Sequence, residues 1–121
     1  QYGYKTLDEC YQDRVNHRQE WYELLREYNG DDPARLGREL FEEYDIYCGL
    51  RHREEFEAMK AESLYDVCVW VEAGERLPPE SLESMTLTME DANVVIDNNG
   101  SLEDLQRQML SICSNDILYY A

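Results

Sequence analysis

The 121 residues predict one mainly helical α+β domain, with three N-terminal helices, a small β element after Pro79 and a C-terminal helix. Apolar side chains recur at three-to-four-residue spacing through the first 74 positions, the period of a helix face. After Pro78-Pro79 the pattern changes to short alternating or β-branched runs, as a half-buried strand requires. The chain is also rich in anchoring groups: 43% of its residues are hydrophobic, and it holds ten tyrosines and two tryptophans. That composition separates it from the acidic, aromatic-poor chains that stay disordered. A mass of 14.4 kDa is enough for one core without disulfide or metal staples.

Thr6-Leu7-Asp8-Glu9 has the spacing of a capping box, in which a hydroxyl and a carboxylate satisfy free amides at a helix start. A first helix is expected over 7–28, its stripe running from Leu7 through Val15, Trp21 and Leu25 to Tyr28, with Asn29-Gly30 as a left-handed stop. Asp32-Pro33 then offers an N-cap followed by proline at the first helical position. The second helix is expected over 33–48, with Leu36, Leu40, Phe41, Tyr44 and Tyr47 on one face. Gly37 lies on that face, where it costs helix stability; it reads either as the close approach of another helix or as a tolerated glycine. Gly49-Leu50 reads as the next terminator, and a third helix as 52–73. Its end, Val67-Cys68-Val69-Trp70-Val71, is β-branched enough to form a strand instead.

Met85–Met89 alternates and Val94-Val95-Ile96 is apolar, so a hairpin is expected there. Asn99-Gly100 marks a turn, Ser101–Asp104 a second capping box, and Leu102 to Cys113 the last helix. Ile117–Tyr120 has strand character and could pair with Tyr2-Gly3-Tyr4 or with the hairpin.

No motif for chemistry emerges. His17 and His52, without a metal-ligand partner at the right spacing, read as ordinary helix residues, and the six glycines are too scattered for a phosphate loop. Asp97–Ser101 resembles a calcium loop only superficially, because Val95 stands where its first carboxylate belongs. No catalytic residue, metal or cofactor is expected. Cys10, Cys48, Cys68 and Cys113 contain no CxxC and fall on or beside apolar stripes, so buried, reduced thiols in a cytoplasmic protein are expected, with disulfides in an exported one as the alternative. The chain shows neither a membrane-length apolar run nor a basic-then-apolar leader, which favours a soluble protein.

Charge is the dominant feature: 27 acids against 11 bases, a formal net of −16. Solubility of a small domain needs a magnitude of only roughly 2–8, and the excess disfavours direct contact with nucleic acid or anionic lipid. Residues 61–121 have only Arg76 and Arg107 as bases, whereas Arg35, Arg38 and Arg53 each stand one turn from Glu39, Glu42 and Glu57 in the first half. Glu72, Glu75, Glu80, Glu83, Glu90, Asp91, Asp97, Glu103 and Asp104 therefore form the candidate contact surface. Tyr11, Tyr22, Tyr28, Tyr44 and Tyr47 are assigned to the core edge. Tyr65, Tyr119 and Tyr120 are left as aromatic anchors for a partner.

These features point to a stoichiometric inhibitor of a basic, nucleic-acid-binding protein or ribonucleoprotein, acting by phosphate mimicry or by steric occlusion. In size and acidity the chain resembles small antagonists of restriction or CRISPR systems, a likeness of composition without a shared motif. On this reading, reversing Glu80, Glu83, Glu90 and Asp91 to lysine slows association while leaving the helices intact. The alternative is a helical adaptor that binds through apolar faces. A carboxylate-based enzyme and an exported effector stand behind both, and oligomeric state is open.

Overall fold

The computed structural model describes residues 2–114. Four helices come first, α1 (Leu7–Asp13), α2 (Arg18–Asn29), α3 (Arg35–Glu43) and α4 (Arg53–Ala61). Strand β1 (Val69–Glu72), strand β2 (Val94–Asp97) and helix α5 (Leu102–Ser114) complete the mainly helical α+β fold.

The expected first helix is two. Asp13 accepts hydrogen bonds from Tyr4 (2.5 Å) and Asn16 (2.7 Å), and His17 Nε2 lies 2.9 Å from it. Short polar side chains bonding locally compete with the helical ladder. The chain accordingly tightens into a 3₁₀ turn over Arg14–Asn16 before α2 starts at Arg18. Half of the expected box forms: the Thr6 hydroxyl accepts from the Glu9 amide (3.1 Å), while the Glu9 carboxylate accepts from the Lys5 amide (2.8 Å) instead of from Thr6; Gly30 (φ +59°) ends α2 as expected.

Asp32-Pro33 lies one turn ahead of α3, where the Asp32 carbonyl accepts from the Arg35 amide (3.1 Å). This helix stops at Glu43, not 48, because Tyr44 is extended and the chain doubles back to bring Tyr47 against Phe41 (6.4 Å between centroids). Gly49 (φ +92°) thus serves a loop and not a helix end. Gly37 does mark a close approach: a Cβ there would sit 2.6 Å from the Met59 thioether. Met59 (1% exposed) and Phe56 (2%) of α4, with Ala34, form the centre of the helical half.

The third helix ends at Ala61 instead of 73. Ser63 takes a left-handed conformation (φ +55°), and the Ser63 and Leu64 amides donate to Lys60 (3.0 Å) and Met59 (3.1 Å), a Schellman closure with serine in glycine's place. Beyond it the β-branched run forms a strand, the second of the two outcomes its composition allowed. The expected hairpin is absent. Val94–Asp97 pairs in parallel with β1, Val69 opposite Val94 through Glu72 opposite Asp97, across a crossover too long for a tight turn.

Met85–Met89 is not a strand; the segment joins the two halves. Thr86 donates to the Arg51 carbonyl (3.0 Å), and its hydroxyl accepts from the Arg53 amide (2.7 Å). Helix α5 begins with the expected reciprocal box of Ser101 and Asp104 and packs on β2, whose Ile96 is buried. Tyr2–Tyr4 forms no strand, and Tyr2 stacks on His17 (4.4 Å). Ile117–Tyr120 lies outside the described residues.

Candidate protein-binding surface

The nine acids singled out by charge do not form one continuous patch. Five gather at the C-terminal edge of the parallel sheet, where the crossing to α5 begins. Glu72 and Asp97 are register partners on neighbouring strands, and the negative charge of Asp97 is felt at Glu72. Glu72 is nevertheless held below the usual carboxylate range, first by the Trp70 indole N–H (2.9 Å) and then by the Gly74 amide. The Glu75 amide donates to the Asn99 side chain (2.9 Å), which places Glu75 beside the turn after β2. Glu103 and Asp104 occupy the first turn of α5, where the helix dipole favours negative charge.

Parallel sheet topology explains this assembly, because both strands end on the same side and deliver their terminal carboxylates together. The edge is not bare, however. Arg76 donates to the Asn98 carbonyl (2.6 Å), and Arg107 pairs with Asp104.

The remaining four split between two places. Glu80 holds both Arg18 (2.7 Å) and Arg51. Partial burial works to raise its carboxyl, but the two guanidinium groups outweigh that and keep it low. Asp91 is held low by a two-pronged bond from Arg53 (3.0 and 2.7 Å) and caps the Thr88 amide (2.8 Å). The expectation that these acids lack neutralisation is thus corrected for Glu80, Asp91 and Asp104. Arginines far away in sequence reach Glu80 and Asp91, a feature that local spacing cannot show. Glu83 and Glu90 are exposed and hold no ion pair with the described residues.

Among the first-half pairs, Arg35–Glu39 (3.2 Å) and Arg53–Glu57 (3.4 Å) form as expected. Arg38 turns away from Glu42 to bridge Asp32 (2.9 Å) and Glu62 (2.6 Å), joining the start of α3 to the end of α4.

Tyr65 is not a free anchor. Its ring stacks on Phe56 (5.9 Å), and burial pushes its hydroxyl up to about 12. Tyr119 and Tyr120 lie outside the described residues. Tyr22 and Tyr47 are half-buried as expected, whereas Tyr11, Tyr28 and Tyr44 are exposed. The breaks after Asp13 and Glu43 account for Tyr11 and Tyr44, since each break ends the helix face on which the ring was counted. Tyr28 stays on α2 but bonds outward to Glu39, with Arg35 over its ring at 4.2 Å. The four thiols are free, but Cys48 and Cys113 are exposed, contrary to the expectation of burial.

A second feature escaped the sequence reading. Between α2 and the loop leading into α4 lies a cleft of about 590 Å³ with Trp21, Tyr22, Tyr47, Arg18, Arg51 and Glu55 in its walls. His52 stacks on Tyr22 (3.8 Å) ahead of α4, outside any helix, and His17 likewise precedes α2. Burial lowers the His52 basicity, and Arg51 and Arg26 lower it further, which marks a locally positive region in an acidic chain. The clue available in sequence was the Arg51-His52-Arg53 run, the densest basic stretch of the chain.

Among the described residues no three His, Cys, Asp or Glu side chains converge as a metal site, and no helix is long and apolar enough to cross a membrane. Comparison with known protein families, characterised proteins and solved structures finds no match.

Proposed function

We propose that the chain is a stoichiometric inhibitor that docks its acidic surface onto the basic surface of a nucleic-acid-handling protein or ribonucleoprotein. The observation that carries this reading is how the charge is distributed. Arg18, Arg38, Arg51 and Arg53 are drawn into ties between distant parts of the chain, while Glu75, Glu83, Glu90 and Glu103 face solvent. The net charge of −16 is therefore projected outward, where it steers a positive partner and repels nucleic acid. The sheet edge bearing Glu72, Glu75, Asp97 and Glu103 is the densest part of that surface.

The arginine ties also decide which acids can be reversed. Lysine at Glu80 or Asp91 would face Arg18, Arg51 or Arg53 and disrupt the fold, so the informative variant reverses Glu75, Glu83, Glu90 and Glu103. A nuclease-treated lysate is passed over immobilised protein and eluted with rising salt. A nucleic-acid enzyme or ribonucleoprotein should be released by salt and displaced by DNA or RNA. The fourfold reversal should then slow its association by about tenfold or more with an unchanged circular dichroism spectrum. Equal association rates for the parent and the reversal would sink the reading.

A helical adaptor is the second reading, favoured by one observation: Leu102 (69% exposed), Met109 and Leu110 (71%) leave an apolar strip on the outer side of α5. A partner bound there would be retained at high salt.

A further inference from the structure

The cleft beside α2 combines three features that a carboxylate-rich binding surface does not require. Its walls carry aromatic faces, chiefly the stacked Tyr22–His52 pair and Trp21. Arg18 and Arg51 of its lining each hold one oxygen of the same Glu80 carboxylate, the arrangement in which two guanidinium groups grip two oxygens of one anion. Glu55, 7% exposed, also lines it, and its sole hydrogen-bond partner among the described side chains is the Tyr47 hydroxyl at a long 3.4 Å. A buried carboxyl so weakly partnered is costly unless something else bonds to it.

We propose that this cleft binds a nucleoside monophosphate. The flat heteroaromatic base lies on the Tyr22–His52 face, its polar edge bonds to Glu55 and Tyr47, and the phosphate takes the place of Glu80 between Arg18 and Arg51. The volume, about 590 Å³, falls within the roughly 300–1,000 Å³ of small-molecule sites. Each part of the ligand answers one feature. A ring without an anion leaves the arginines with Glu80, and an anion without a ring leaves the aromatic face and Glu55 unused. Glu83, which also lines the cleft, opposes the phosphate, and Arg14, likewise in the lining, offsets it.

The test titrates the full chain with AMP, GMP, CMP and UMP in a calorimeter, with adenosine and inorganic phosphate alongside. At least one nucleotide should bind tenfold or more tightly than either fragment. Arg18→Gln and Arg51→Gln should each weaken it about tenfold. Glu80→Gln, which removes the competing anion, should tighten it. Absence of heat with all four nucleotides up to about 10 mM overturns the site. So does binding that is indifferent to both arginine changes, or weaker binding after Glu80→Gln. Should an arginine variant unfold, the unaltered chain still decides: the Tyr22 and His52 ring proton resonances must move on nucleotide addition, and binding that leaves them in place overturns the proposal.

Discussion

Gly37 shows how one residue links sequence to packing. In an exposed helix, alanine in place of glycine gains about 1 kcal/mol. Here the added methyl would lie 2.6 Å from the Met59 sulfur and its terminal methyl, so the buried Met59 side chain (1% exposed) must shift to admit it. Overpacking a core costs typically 1–3 kcal/mol, enough to outweigh the propensity gain. Gly37→Ala should therefore lower the urea midpoint, with a net loss of about 1 kcal/mol. A midpoint that rises would mean Met59 repacks freely and α3 and α4 are not in tight contact. The position of Gly37 on the packing face was legible from periodicity alone, but the identity of its neighbour was not. The tyrosines show the limit: Tyr44 and Tyr47 stand one helical turn apart on the expected face, yet only Tyr47 turns back onto Phe41. That difference depends on where α3 ends, and no side chain in the run signals Glu43 as its last residue.

At the scale of elements, chain breaks are what separate expectation from structure. Gly30 ends α2 as glycine should, and the sequence announces it. Ser63 ends α4 at a similarly positive φ (+55°), which costs a non-glycine residue roughly 1–2 kcal/mol. The strain is tolerated because the Schellman bonds to Lys60 and Met59 hold the turn. Ser63→Gly should relieve it, less the extra unfolded-state entropy of glycine, and raise stability by about 0.5–1 kcal/mol in chemical denaturation. A loss of stability would instead give the Ser63 side chain a role that the hydrogen bonds leave unassigned. Strand pairing has the same character: Val94-Val95-Ile96 reads as a strand and Val67–Val71 as a helix end that could be one, but their parallel partnership depends on the route taken by the 20-odd residues between them. That route is set by Thr86 against Arg51 and Arg53 and by Asp91 against Arg53, all long-range contacts.

Charge acts on the whole molecule, in two directions. A net of −16 makes the folded chain repel itself, so raising sodium chloride from low concentration to about 0.5 M should raise the thermal midpoint by a few degrees. Acid has a biphasic effect. Asp13, held at about 2 by the Tyr4 hydroxyl and Asn16, together with Asp32, Glu80 and Asp91, all titrate below their unfolded values. Their stabilisation is complete above the ordinary carboxylate range near pH 4 and is lost as pH falls through the lowered values toward 2. Glu55, whose carboxyl burial pushes up, takes up its proton ahead of the lowered carboxylates, which removes a buried negative charge and lessens the self-repulsion as pH falls from 7. The thermal midpoint should therefore hold or rise down to about pH 5 and fall below pH 4. A steady fall from pH 7 downward would show that self-repulsion does not govern this fold.

The sequence by itself determined the helical α+β class, the helix starts at Thr6 and Ser101, the stop at Gly30 and the acidity that suggests a basic partner. Each of these is a local or an additive property: a cap needs three residues, a stripe needs one helix face, and net charge needs only a count. Tertiary structure alone decided which acids remain outward, because Arg18, Arg51 and Arg53 are spent on Glu80 and Asp91 across 62, 29 and 38 positions. It also brought Trp21, Tyr22, His52 and Glu55 around one cleft, since a concave site requires side chains from separate segments to face one another, and spacing along the chain carries no record of that.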